Sequence, residues 1–512
     1  MDEKWQKTVA LETIPEGKPF LLKAGGKTLL TFRQNTHVSV FSCRCPHYGL
    51  SLEKALVINQ HFFCPWHLAK FDLKTGQVQS PPALRDLESY QVKVEEGIIF
   101  VRPRVKSKKA AAFKEKPCFV ILGAGAAGTA AAFELRRCGF DGRIVLVSKE
   151  TELPYDRPSL TKEYLTGVWT DQDIILKSAK DYQDEGIEII GGSKVVEIKT
   201  SAKKVILQQG KELSYEKLLL ATGASPGRLR VKGTELPGFF YLRSRQDAQA
   251  IRQWLPGCEK AVVIGSGFLG LEVASSLRKK GLKVSVVTPD ILPLNHILGK
   301  EVGGFFYRLH QGQGVIFYLE NRVVSVSGRS RIEAVTLSDG QKVEAELVIA
   351  GVGIQLELDY ARKTELFTDQ GVIVDEKQTT SDPDIMAAGD IALVPSSVPG
   401  QRLRIEHWAE AQRQGQQAAR SMLGLSSGET GLPFFWTRQY NTTFRYVGFT
   451  GNFDTAVIRG RFEQNDFLVG YFYQGKLVGF GGVGRTQELV LLGELLRKKV
   501  SIDKEEFTKL VS

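Results

Sequence analysis

Cysteine is scarce: six residues in a chain of 512. That excludes a disulfide scaffold and fits a reducing compartment. Long apolar runs are missing too. No uncharged stretch reaches the roughly 18–20 residues that span a bilayer. The most apolar one, Cys118 to Phe133, is broken by three glycines. Low-complexity sequence is absent, and the 51 Gly and 19 Pro are scattered rather than periodic, which excludes a collagen-like chain. The opening MDEKWQKTVALETIPEG has no apolar core and no Arg, and it carries acids. It therefore resembles neither a secretory signal nor a mitochondrial presequence, and the cytoplasm is the expectation, with mitochondrial association as the alternative.

What is present is ordinary globular material, 42% hydrophobic and 24% charged. Global disorder is excluded, and the length suits roughly three or four domains. Net charge is +11, from 68 basic and 57 acidic residues. The only dense basic run, Arg102 to Lys116, lies where a linker belongs, so no nucleic-acid partner is expected.

The first hundred residues read as all-β. Phe20–Leu22, Val38–Phe41, Gln60–Cys64 and Gln91–Val94 are short, β-prone and separated by turns. From Cys118 the texture becomes strand, Gly-rich turn, helix, strand, and the same unit recurs from Ala261. After about Gly431 a strand-rich segment ends in an amphipathic helix, ELVLLGELLRKK. The expected boundaries are 1–104, a linker at 105–117, a first dinucleotide domain at 118–245 and 372–430, a second at 246–371, and an α+β domain at 431–512.

Cys45-Pro-His47, then 16 residues, then Cys64-Pro-Trp-His67 is the sharpest pattern. Four such ligands suit zinc. Zinc fingers, however, separate a Cys pair from a His pair, whereas each arm here carries one of each. That division suits a Rieske [2Fe–2S] centre, in which one iron takes two thiolates and the other two imidazoles. With Phe71-Asp72 and Thr75-Gly76 behind it, the segment resembles a ferredoxin-type Rieske domain. The resemblance marks departures. Leu50 and Trp66 stand where high-potential members carry a disulfide, Ala69 and Phe71 where a Ser and a Tyr bond the cluster, and Leu68 where Gly is usual. Fewer hydrogen bonds to sulfur imply the low end of the range, roughly −150 mV.

Gly123-x-Gly125-x-x-Gly128 follows one strand, and Gly265-x-Gly267-x-x-Gly270 another. Such glycines allow a tight turn, close approach of a pyrophosphate and helix–strand packing. Glu150 lies 22 residues past Gly128, where a ribose-binding acid belongs. Asp290 plays that part for the second turn, which favours NADH over NADPH. Leu218 to Thr222-Gly223 and Thr380 to Gly389-Asp390 resemble the strand ends of two-dinucleotide flavoproteins, which implies FAD on the first turn and NAD(P)H on the second.

Leu153-Pro-Tyr-Asp-Arg157-Pro-Ser-Leu-Thr-Lys162 resembles a segment of ferredoxin-reductase-like enzymes and apoptosis-inducing factors. The resemblance implies that Arg157 touches FAD. It also implies that Lys162 pairs near the flavin with Glu272, the end of a GFLGLE run containing Phe268 and Leu269. Val196, Arg243, Gly353, Glu406, His407 and Trp436 are further cofactor-site matches. No CxxC or CxxxxC stands among Cys118, Cys138 and Cys258, which rejects disulfide reduction. No close His pair with a carboxylate suits the mononuclear iron of an oxygenase. Taken whole, the chain resembles the Rieske-containing, apoptosis-inducing-factor-like flavoproteins. The resemblance implies an NAD(P)H oxidoreductase that passes electrons through FAD to the cluster and on to an unknown acceptor. The C-terminal domain is expected to cover the flavin and to offer a homodimer face. The alternative reading is an NADH-responsive switch that acts through a partner in apoptosis signalling.

Overall fold

Two parallel five-stranded sheets of one plan carry the middle of the chain. The first runs Ile187–Ile190, Arg143–Val147, Cys118–Leu122, Lys217–Leu220, Ile385–Ala387. The second runs Phe239–Tyr241, Leu347–Ala350, Lys260–Ile264, Lys283–Val287, Ile316–Tyr318. Their central strands, CFVIL and KAVVI, are buried and apolar on both faces after the first residue, as a parallel sheet covered on both sides requires. An antiparallel ribbon, Ala224–Pro226 with Ile354–Leu356, joins the units. The structure is a computed structural model and describes residues 4–104, 113–396, 401–426, 431–448 and 453–510. The linker expected at 105–117 lies mostly outside them.

One expected boundary moves. The break at 245/246 falls inside the second unit, because Phe239–Tyr241 already pairs with Leu347–Ala350. The Gly-Phe-Phe-Tyr stretch was too short to announce a strand. Only its partner, about a hundred residues on, makes it one.

The N-terminal domain is all-β, three small antiparallel sheets. Two loops protrude from it, and backbone bonds close them alike. In the first, Gly49 N–H donates to Cys45 O and Cys45 N–H to Leu50 O. In the second, Leu68 N–H donates to Cys64 O and Cys64 N–H to Ala69 O. The C-terminal domain is a five-stranded antiparallel sheet backed by helices Thr486–Arg497 and Lys504–Leu510.

Each Gly-rich turn opens a helix, Ala126–Arg137 or Phe268–Lys279, with no side-chain cap. The two turns repeat one steric plan. Gly123 and Gly265 take φ of +106° and +102°. A Cβ on Gly128 would lie 1.8 Å from Gly123 O, and one on Gly270 2.1 Å from Gly265 O. The middle glycines, Gly125 and Gly267, face open space. Helix Trp408–Met422 presses on the first helix so closely that a Cβ on Gly415 would lie 2.1 Å from Ala127 O. The pair is clamped by buried Glu134, which meets Arg137 at 2.6 Å and Arg420 at 2.9 Å.

Candidate functional site

A cavity of about 840 Å³ opens at the first Gly-rich turn and runs to the C-terminal domain. Gly123, Gly125, Glu150, Arg157, Lys162, Thr222, Gly223, Arg243, Phe268, Leu269, Glu272, Gly389, Asp390, Glu406, His407 and Trp436 all line it. The carboxyl ends of the strands bring them there, the usual place for a ligand in an open α/β sheet. The uncapped N–H groups of helix Ala126–Arg137 stand at its mouth, ready for a phosphate. A dinucleotide fits this donor set and this open middle glycine.

Polar groups on the walls are held in pairs. Arg243 meets Asp390 at 2.9 Å. Arg157 binds Glu150 and donates to Arg243 O at 3.0 Å. Burial works against the Glu150 charge, but Arg157 and the Tyr155 hydroxyl outweigh it and lower the carboxyl. His407 stacks on Phe435 at 4.4 Å, and burial pushes it down to about 4, so the ring is neutral.

Lys162 donates to Glu272 Oε2 at 2.6 Å and to Pro158 O at 2.6 Å. Glu272 is 7% exposed and also accepts from Thr161 at 2.6 Å and Thr437 at 2.8 Å. Behind Thr437 the bonds continue. Gln439 donates to Thr437 at 3.1 Å, and its amide oxygen meets His310 Nε2 at 2.7 Å. An amide oxygen only accepts, so Nε2 carries the hydrogen and Nδ1 accepts from the Tyr440 hydroxyl at 3.2 Å. Every bond in this chain points its hydrogen toward Glu272. Thr437, Gln439 and His310 escaped sequence reading, because nothing local ties residue 310 to residue 439.

Seven sequence-stated residues lie off the cavity. Gly128 packs under its turn. Gly265, Gly267, Gly270, Asp290 and Gly353 belong to the second turn and its surroundings. Asp290 accepts from Thr288 at 3.1 Å and from Ser266, between the two glycines, at 3.3 Å. Val196 does not line the cavity: it is 46% exposed, at a bulge where Val195 pairs with Leu207 and Glu197 with Ile206 and Val196 is left over between them. Lys194 lines the cavity instead.

The two N-terminal loops bring Cys45, His47, Cys64 and His67 together. The imidazole Nδ1 atoms are 3.2 Å apart. Two nitrogens bound about 2.0–2.1 Å from one tetrahedral metal are about 3.3–3.4 Å apart, so the pair fits a shared iron. Burial lowers His47 to about 3 and His67 well below its ordinary value, so both are in the neutral, ligating form. The Cys64 thiol is lowered, first by its bond with Cys45 and then by the N–H groups of Trp66 and His67. Among the described residues no three Cys, His, Asp or Glu gather round one point. A binuclear cluster asks for two ligands per iron. Ala69 and Phe71, both fully buried, bring no hydroxyl to the sulfurs.

Cluster loops and cavity meet at one residue. Trp436 lines the cavity and packs its ring 4.6 Å from His67 and 5.7 Å from His47. Arg445, on the neighbouring strand, donates to Trp66 O at 2.7 Å and Pro65 O at 2.9 Å.

Comparison with known families agrees with this geometry. The model described as pyridine nucleotide-disulphide oxidoreductase matches residues 118–415, more than half the chain. The chain belongs to that family. Residues 4–91 match the Rieske [2Fe-2S] domain and 434–510 the reductase C-terminal domain. This member of the family is therefore an FAD-dependent NAD(P)H oxidoreductase with a Rieske domain. It is 32% identical to apoptosis-inducing factor 3 of Homo sapiens, over 93% of this chain and 82% of that one. It is 34% identical to rhodocoxin reductase of Rhodococcus erythropolis, over 76% of this chain and 91% of that one. The crystal structure of a covalent putidaredoxin reductase–putidaredoxin complex superposes with TM-score 0.74 at 31% identity, covering 78% of this chain and 96% of that one. Among the described residues, no cysteine lines the cavity. Among the described residues no helix is long and apolar enough to cross a membrane.

Proposed function

We propose that this chain is an NADH-dependent reductase whose own Rieske domain is its first electron acceptor, and that an external one-electron acceptor takes electrons from the cluster. When bound, FAD accepts hydride from the nicotinamide and the cluster takes electrons singly. The observation that carries the reading is Trp436, one ring that walls the cavity and touches both cluster imidazoles. Cys45, His47, Cys64 and His67 hold the cluster. Gly123, Gly125, Arg157, Asp390 and their neighbours hold FAD. Lys162 and Glu272 form a fixed charge pair in the cavity wall beside the second helix start, where they orient the reacting rings. The relatives whose names contain rhodocoxin and putidaredoxin reduce protein partners, which supports a protein as the external acceptor. The C-terminal domain as a homodimer face stays part of this proposal.

Anaerobic titration with NADH tests it. Flavin absorbance should bleach and the EPR signal of a reduced Rieske cluster should follow. Bleached flavin beside a loaded cluster that stays oxidised would sink the reading and favour the conformational switch.

Asp290 carries the preference for NADH. Its carboxylate faces the second turn and suits the two ribose hydroxyls, while a 2′-phosphate would meet its charge. Asp290→Asn should raise KM for NADH about tenfold, the worth of a hydrogen bond to a charged group. It should leave kcat nearly unchanged and narrow the NADH/NADPH ratio of kcat/KM. An unaltered ratio would remove Asp290 from this role.

A further inference from the structure

We infer that Tyr48 and Leu68, each one residue beyond a cluster histidine, are positioning residues that bolt the Rieske domain into its electron-receiving pose. The inference rests on the reading of function above. Tyr48 lies along the His47 ring, 3.6 Å away and tilted 22°. Its hydroxyl donates to Asp156 Oδ2 at 2.7 Å, across 108 residues of sequence. The same oxygen accepts the Ser159 N–H at 3.0 Å, capping the short helix Arg157–Thr161 that leads to Lys162. Trp169 closes over the Tyr48 ring at 5.0 Å. One phenol thus couples a cluster ligand to the segment that carries Arg157 and Lys162.

Leu68 bolts the other side. The two cluster loops are closed by the same turn, and each needs a left-handed residue four places after its cysteine. The first loop uses Gly49 at φ +69° and the second Leu68 at φ +56°. Glycine adopts that backbone without penalty, whereas a side chain resists it. The Leu68 side chain meets the C-terminal core beside Leu432 and Phe434. Phe434 stacks against Trp436 at 5.8 Å on the same face of strand Phe434–Gln439. A disfavoured backbone is kept here for the packing its side chain makes. Phe434, Trp436 and His67 thus form a row of ring contacts, and Leu68 shares the core and pocket at its Phe434 end.

The test uses full-length protein loaded with FAD and cluster, mixed anaerobically with NADH. Tyr48→Phe removes the hydroxyl and keeps the ring. Leu68→Gly removes the peg and relieves the backbone. Both should bleach flavin at the unaltered rate, keep the EPR line shape of the reduced cluster, and slow cluster reduction by about tenfold: for Tyr48→Phe the worth of a buried hydrogen bond to a carboxylate, for Leu68→Gly that of an apolar side chain taken out of its packing. Hydrogen exchange should speed at Arg157–Thr161 in the first variant and at Phe434–Gln439 in the second. Wild-type cluster reduction in both variants, or faster turnover with an external acceptor, overturns the inference; the latter would mark a domain that must leave its seat. A purely structural Leu68 predicts that Leu68→Gly raises thermal stability and changes no rate. If the unaltered protein itself leaves its cluster oxidised, the reading of function fails, and the positioning roles fail with it.

Discussion

Cys64→Ser is expected to abolish all electron flow that leaves through the cluster, while NADH oxidation with a dye that takes electrons at the flavin continues. Cys64 is 1% exposed and sits at the base of the second loop. It receives the N–H groups of Trp66 and His67, with Arg445 nearby, so the site is built for a thiolate. A serine hydroxyl is a hard donor that stays protonated at neutral pH and cannot replace it. The flavin cavity draws none of its lining from the first hundred residues, and the Rieske core is a separate cluster of side chains. The variant should therefore keep its FAD spectrum, lose the Rieske EPR signal and lose cluster-dependent reduction by more than a hundredfold. Retained cluster-dependent turnover would show that electrons leave from the flavin instead.

Glu272→Gln has the second largest expected effect. The carboxylate takes Lys162, Thr161 and Thr437 at once, at the end of a chain of bonds all polarised toward it. An amide keeps the shape, but one of its two positions becomes a donor. It can no longer answer the Lys162 charge and accept both hydroxyls. Removing one partner of a buried pair leaves the other uncompensated, at a cost of about 3–5 kcal/mol when burial is complete. Lys162 retains Pro158 O at 2.6 Å, so the lower end applies. Fixed charges at a reacting centre are worth about 10²–10³ in rate. Flavin reduction by NADH should slow about a hundredfold, with the redox potential of the flavin shifted and the cluster's EPR spectrum unchanged. Unaltered flavin reduction with only a lower Tm would make the pair structural. Lys162→Met should show the same split.

The two predictions divide the reaction at Trp436. One removes what lies beyond it and the other weakens what lies before it. Asp290→Asn acts earlier still, on the entering dinucleotide.

Chemistry with a local grammar was legible from sequence. The glycine spacings specify turns that only a glycine can make, and the structure shows why, with a would-be Cβ at 1.8 Å and 2.1 Å from the facing carbonyls. One Cys and one His per arm specify the cluster, since each arm is a single closed loop. Glu272 and Lys162 were legible because each ends a local motif.

What only the tertiary structure decided is how the parts face one another. Val196 turned outward because a bulge between Val195 and Glu197, which residue type does not announce, leaves it outside the pairing. Phe239–Tyr241 became a strand only beside Leu347–Ala350. Thr437, Gln439 and His310 back Glu272 from elsewhere in the chain, Thr437 from 165 residues away, with no spacing to betray them. Tyr48 and Arg445 were unremarkable in the sequence, and Asp156 stood in its motif with no partner to suggest, yet their bonds across 108 and 379 residues seat the cluster on the flavin cavity. Local sequence specifies which cofactor a loop can hold, because backbone sterics and ligand chemistry act within a few residues. The contact between two cofactor sites depends on surfaces assembled from all three domains, and packing alone writes it.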